Sequence, residues 1–271
     1  MDKIIRHAAA GEPKALRTVV KTLPNLTAKA LVKLYFDGQL EPLLAHLPPQ
    51  SILALADRPD FRWNIMVKKV AELAATGDQM AAECLNGLAK NWDEKKLDVF
   101  ASNRILKLVL DNLPPRTIFH LCEITESYDD ENFTGPYDLL IAKTIRLAQS
   151  GNFDAGLLLE QHAGQWEPEY IDHLADYDHL DPCLSQLSPT GIIKLAGICS
   201  ALNYWGDDLR GARDRVIIKV RELAENGNEE AKKALEKFLK EAAPDYILHL
   251  NQFNQLDKIF SALGYPEHPN V

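Results

Sequence analysis

The sequence predicts an all-α protein: a right-handed α-solenoid of about three and a half internal repeats, with five short helices in each full unit. Three observations carry this. Apolar residues recur at spacings of three and four along the whole chain, and no stretch alternates as a half-buried strand would. A block of sequence recurs four times, around Gly11, Gly77, Gly151 and Gly227. Residues that start and stop helices stand at matching places in those blocks.

The recurrence is read from the glycines. Three residues before them stand Ala8, Ala74, Ala148 and Ala224; four residues after stand Ala15, Ala81, Ala155 and Ala231. Further along the blocks, Val19, Leu85, Leu159 and Leu235 share one position, and Leu31, Leu97, Ile171 and Ile247 another. Leu34, Phe100, Leu174 and Leu250 share the next, followed by Leu40, Leu106, Leu180 and Leu256, and then Leu47, Leu113, Leu187 and Leu263. These columns align without a gap.

Each helix of a unit then has its own justification. The first ends at the glycine, because a residue without Cβ enters a left-handed turn freely. The second starts at Asp78, Asn152 or Asn228, short polar side chains suited to an N-cap. Flanking alanines let these two helices approach closely. The third and fourth carry the paired apolar columns. The fifth follows "LPP" or "LSP", where a proline at the helix entrance removes an N–H that has no helical partner, and is marked by Ile52/Leu55, Ile118/Leu121 and Ile192/Leu195. In the second block this predicts helices at about 62–76, 78–90, 93–101, 104–112 and 115–125. In the third it predicts about 136–150, 152–163, 167–176, 178–186 and 189–202.

The glycines are 66, 74 and 76 residues apart, and the variation is confined to a loop after the fifth helix. Helices this short cannot bury their apolar faces alone, so stacked units must bury them together. One helical-repeat domain spanning 1–271 is expected, with repeat blocks beginning near 1, 61, 136 and 210. The chain starts inside one block and stops inside another.

The motif A-x-x-G-x-x-x-A, as in "AENGNEEA" (224–231) and "AATGDQMA" (74–81), resembles HEAT and tetratricopeptide/Sel1-like helical repeats. The resemblance covers the first two helices of each unit, and the unit is longer than those repeats. It implies a helical-repeat architecture and the habit of binding partners.

Composition narrows the function. The 271 residues are 46% hydrophobic and carry a net charge of −9, which disfavours nucleic acid as a partner. Cys84, Cys122, Cys183 and Cys199 lack CxxC spacing and read as reduced, packed thiols. The N-terminal "MDKIIRHAAAGEPK" lacks the apolar core of a secretory signal, and no window is apolar enough to span a membrane. The expected location is cytoplasmic. A bacterial protein acting in its own cell, or one exported into a host without an N-terminal signal, fits equally. No nucleotide, hydrolase or metal signature motif is present, so neither cofactor nor metal is expected.

Two partner-binding surfaces are candidates. Lys3, Lys69, Lys143 and Lys219 form a column eight residues before the glycines, suited to an acidic peptide or a C-terminal carboxylate; the alternative is four stems covering neighbouring helices with their heads in water. The variable loops carry Phe61 and Trp63 in the first block. They carry Tyr128, Phe133 and Tyr137 among acids in the second, and Tyr204 and Trp205 in the third. Aromatics beside acids suit a basic or mixed partner segment; the alternative is aromatic plugs under acidic loop tips.

The expected function is a non-enzymatic scaffold or adaptor that holds a protein or peptide partner on its concave face and loop-bearing edge. The alternative is a hydrolase-like or metal-dependent enzyme using Asp172, His173, Asp176, Asp178, His179 and Asp181. End-to-end self-association through Ile259, Phe260 and Leu263 is a further expectation.

Overall fold

The computed structural model describes residues 2–56, 63–125, 128–129, 131–199 and 208–265. Its regular structure among these residues is entirely helical. The first block holds α1 (Asp2–Ala9), α2 (Pro13–Thr22), a short 3₁₀ turn (Leu23–Asn25), α3 (Ala28–Phe36), α4 (Leu40–His46) and α5 (Pro49–Ala56). The second holds α6 (Trp63–Ala75), α7 (Gln79–Ala89), α8 (Glu94–Ser102), α9 (Leu106–Asp111) and α10 (Pro115–Glu123). The third holds α11 (Pro136–Gln149), α12 (Phe153–Ala163), α13 (Pro168–Asp176), α14 (Leu180–Leu184) and α15 (Pro189–Cys199). The last holds α16 (Ala212–Glu225), α17 (Glu229–Glu241), α18 (Pro244–Gln252) and α19 (Gln255–Ala262).

Each of the four glycines is left-handed, with φ between 83° and 90°. Each closes the preceding helix with the same pair of backbone bonds. Gly77 N–H donates to Ala74 O (2.9 Å) and Asp78 N–H to Leu73 O (3.3 Å); Gly227 to Ala224 (2.9 Å) and Asn228 to Leu223 (3.0 Å) are equivalent. The residue after the glycine then caps the next helix. Asp78, Asn152 and Asn228 accept the N–H of Ala81, Ala155 and Ala231, each at 3.0 Å. Glu12 makes no such bond, and Pro13 opens α2 instead.

A second left-handed turn was not legible in residue types. Twenty-seven residues after each glycine stand Gly38, Arg104, Asp178 and Asn254, with φ of 66°, 59°, 58° and 55°. Gly38, Arg104 and Asp178 close the third helix with bonds like those at the first turn: Arg104 N–H to Ala101 O (2.8 Å) and Ile105 N–H to Phe100 O (2.9 Å) are one pair. Only the first of these four is the glycine that such a backbone favours.

The residues group into two compact units, 1–143 and 144–271. In the first, α1 packs on α2 and α4, and α6 packs on α5, α7 and α9. In the second, α16 packs on α15, α17 and α19, and also on α13 and α14. The first helix is therefore the hub in these blocks: α6 and α16 each touch their own second and fourth helices and the fifth helix of the block before. Its alanines make this possible: Ala8 and Ala224 are 0% and 1% exposed, as are Ala81, Ala155 and Ala231 at 0% across the crossing. The leucine columns are buried in the first three blocks. In the last, Ile247, Leu256 and Leu263 are half-exposed, and among the described residues no fifth helix follows α19 to cover them. Ile259, expected on an open apolar end, is instead buried in the bundle, and Phe260 packs edge-on against Tyr265 at 6.1 Å.

Two outcomes are expected from this frame. Ala231→Leu forces a larger side chain into the α16–α17 crossing and lowers the free energy of unfolding in urea by ~1–3 kcal/mol. Arg104→Gly relieves the left-handed strain at an exposed position and raises it by about 1 kcal/mol; an unchanged urea midpoint would contradict the strain.

Candidate functional site

The variable loop of the second block is held in place by two aspartates and a glycine. Asp138, in the first turn of α11 and 0% exposed, accepts through Oδ2 the N–H groups of Asp129 (3.1 Å) and Gly135 (3.0 Å). The Asp129 carboxylate accepts the N–H groups of Glu131 (3.1 Å) and Asn132 (3.2 Å) and the Thr134 hydroxyl (2.9 Å). Gly135 is required by close approach, since a Cβ there would sit 2.6 Å from Asp129 N and 2.9 Å from Asp138 Oδ2. The loop so fixed borders an open cleft of about 820 Å³ against the C-terminal end of α8. Asp98, Arg104, Tyr128, Asp129, Glu131 and Asn132 are among its walls. Three carboxylates against one guanidinium make it acidic.

Of the loop aromatics, Tyr128 lines this cleft and is half-buried, as is Phe133. Tyr137 does not serve as a surface anchor: it is 8% exposed, because the first turn of α11 carries it into the core. Phe61, Tyr204 and Trp205 lie outside the described residues. Trp63 opens α6, and its side chain lies outside them too.

The lysine column engages carboxylates. Lys69 pairs with Glu72 (3.0 Å) and Lys219 with Glu222 (2.9 Å), each one turn along its own helix. In α11 that position holds Arg146, and Lys143 reaches Asp111 instead (2.8 Å), its side chain 17% exposed. Lys3 is exposed. Heads that meet carboxylates describe three of the four.

The Asp/His stretch of 172–181 disperses. His173 is buried, between the rings of Tyr170 (5.8 Å) and Tyr177 (4.9 Å), whereas Asp176 is exposed. Asp178 and Asp181 face Arg215 at 3.4 and 3.3 Å. His179 precedes α14; burial, and then the Arg146 charge, hold its pKa below the usual imidazole range. Partial burial, with Asp176 and Glu169 on the same helix face, pushes the Asp172 carboxyl up to about 6. Among the described residues no three His, Cys, Asp or Glu converge to hold a metal. Burial pushes Cys183 and Cys199 up to about 12, so neither is a thiolate at neutral pH.

One polar cluster escaped the sequence reading. Asp214 occupies in α16 the position of Asp138 in α11, but its use differs. Its Oδ1 accepts the Tyr246 hydroxyl (2.7 Å), and its Oδ2 lies 3.3 Å from His249 Nε2. Burial, with the adjacent carboxylate, pushes the Tyr246 phenol far up, so it stays a donor. The Arg213 guanidinium lies 3.9 Å from the Tyr246 ring centroid. All four side chains are buried. A shared Gly-x-x-Asp in "GPYD" (135–138) and "GARD" (211–214) is the signal that could have found the pair of aspartates.

No protein-family model matches the chain, and no curated protein matches it. Among solved structures it is similar to one described as "Computational Design of Self-Assembling Cyclic Protein Homooligomers", at 17% identity over 97% of this chain and 82% of that one, with a TM-score of 0.13. A superposition that loose bears on neither assembly nor function.

The Asp172 carboxyl is harder to ionise in the fold than in the unfolded chain. Its ionisation therefore opposes folding above pH ~6 and has no effect below pH ~4. Asp172→Asn is expected to raise the melting temperature at pH 7.5 and leave it unchanged at pH 3.5. An equal shift at both would place the effect in packing.

Proposed function

We propose that the chain is a non-enzymatic scaffold or adaptor that holds a basic segment of a partner protein at its loop-bearing edge. The observation that carries this is the open acidic cleft beside the pinned 128–135 loop, with Tyr128 on its wall. Residues 129 and 131–135, tied down by two aspartates and a glycine that admits no side chain, present a fixed surface, which lowers the ordering entropy of binding. An aromatic face beside carboxylates suits Lys or Arg side chains. The lysine column supports partner binding less well, because three of its members already meet carboxylates.

The same reading takes the architecture to be one right-handed α-solenoid over 1–271, of about three and a half units, working in the cytoplasm. The enzyme alternative has less support. Asp214, Tyr246 and His249 satisfy one another in a closed core, and the 172–181 acids and histidines face different surroundings. Self-association through Phe260 and Leu263 draws only on their half-exposed side chains.

The test combines crosslinking of the intact chain in lysate with mass spectrometry, for the unmodified chain and for Asp98→Lys with Glu131→Lys. Neither side chain is one that pins the loop. Crosslinked partner peptides are expected to be rich in Lys and Arg, to map to 98–104 and 128–136, and to disappear on charge reversal or at high salt. A partner set that survives charge reversal overturns the proposal.

A further inference from the structure

A groove of about 420 Å³ lies where α15, α16 and α17 meet, wholly within the 144–271 unit. Its existence follows from how the last block departs from the two before it. Fifteen residues after the glycine, the second and third blocks place Trp92 and Trp166, 5% and 6% exposed. The last block places Ala242 there, and Ala242 borders the groove. The tyrosine of the third helix still has its aromatic neighbour. Trp166 packs on Tyr170 at 5.6 Å, and in the last block Phe238, from one turn earlier in α17, packs on Tyr246 at the same 5.6 Å. The contact is thus kept by another residue, and an indole's bulk is missing beside it.

The groove walls are small or aromatic. Ala196 and Gly197 of α15 form one side, and Ala234 and Phe238 of α17 the other. At Gly197 an added Cβ would meet nothing within 4 Å, so the space in front of it is open. Arg213 also lines the groove, its guanidinium 5.5 Å from the Phe238 ring centroid. Lys233 and Lys237 stand exposed on the rim. Glu230 and Glu241 share that rim, but Lys237 and Glu241 are 4.0 Å apart with side chains 74% and 61% exposed. An ion pair so exposed contributes little and yields readily to a better-placed carboxylate. Three cations against two acids give this groove a positive balance in a chain of net charge −9.

We propose that the groove between α15, α16 and α17 takes a tryptophan side chain carried on an acidic segment of a partner protein. The indole occupies the room that Trp92 and Trp166 fill in their own blocks, against Phe238. Flanking carboxylates meet Lys233 and Lys237 at the rim and the field of Arg213 behind them. A planar side chain of few rotors seated in an apolar slot, ringed by charges, is the usual form of an interface anchor. This site is separate from the 98–136 cleft and of opposite charge preference.

The test is fluorescence anisotropy of the full chain with a fluorescein-labelled Asp-Glu-Trp-Glu-Asp peptide. Saturable binding is expected, weakening as salt is raised and at least about tenfold weaker for Lys-Arg-Trp-Arg-Lys. Ala242→Trp, which restores the indole from within, is expected to weaken the acidic peptide at least about tenfold, and Gly197→Leu, whose Cβ enters open space, to do the same. Circular dichroism confirms that both variants remain helical. Asp98→Lys with Glu131→Lys, which reverses the charge of the other cleft, is expected to leave this binding intact. Absence of saturation, equal affinity for the basic peptide, or unchanged affinity in a helical Gly197→Leu chain overturns the proposal.

Discussion

The left-handed turn at Gly11, Gly77, Gly151 and Gly227 is the constraint on which each block depends. It reverses the chain within two residues, so the helices on either side must cross closely. That crossing admits only alanine at the contact, and alanine is what stands there, at 0% exposure in Ala81, Ala155 and Ala231. The same alanines donate the N–H groups that Asp78, Asn152 and Asn228 accept. Turn, cap and packing therefore share residues, and a change at one is felt at the others. With the first two helices set, the hub helix has one face left for the fourth helix of its block and the fifth of the block before, which is the packing seen around α6 and α16.

This is why the helices were legible. A glycine, a capping residue and a pair of alanines at fixed offsets are local signals, and helices such as Gln79–Ala89 and Glu94–Ser102 fall within a residue or two of the expected 78–90 and 93–101. The second left-handed turn was not legible, because Gly38, Arg104, Asp178 and Asn254 share a backbone angle and no chemistry. Three of them bear the strain of a Cβ there, held by the bundle around them. Glycine marks such a turn best and Asp or Asn less sharply, whereas Arg104 gives no sign of it.

The functional surface was legible in part. The loop was found by its variable length, and its aromatics by composition, but composition does not say which way a ring points. Tyr137 belongs to a helix that starts one residue before it, so its side chain follows the core face of α11 rather than the loop. Asp138 and Asp214 went unread for a different reason. A buried carboxylate is defined by what it accepts, and those donors lie three and nine residues upstream in one case and more than thirty downstream in the other.

The two aspartates also show where such a protein keeps its freedom to diverge. Both stand in the first turn of the first helix of their block, and both are buried. Asp138 draws a loop down over the helix start and so builds one wall of a cleft. Asp214 turns instead to Tyr246 and His249, and the core closes over it. The tryptophan position behaves in the same way: two blocks fill it and the last leaves Ala242 with a groove beside it. Columns that hold helices together carry the same small or apolar residues throughout, since a unit that lost them would not pack. Columns that merely finish the core carry different residues in different blocks, and the two openings described above arise at such columns. An internal repeat thus separates, within a single chain, residues kept for folding from residues released for binding.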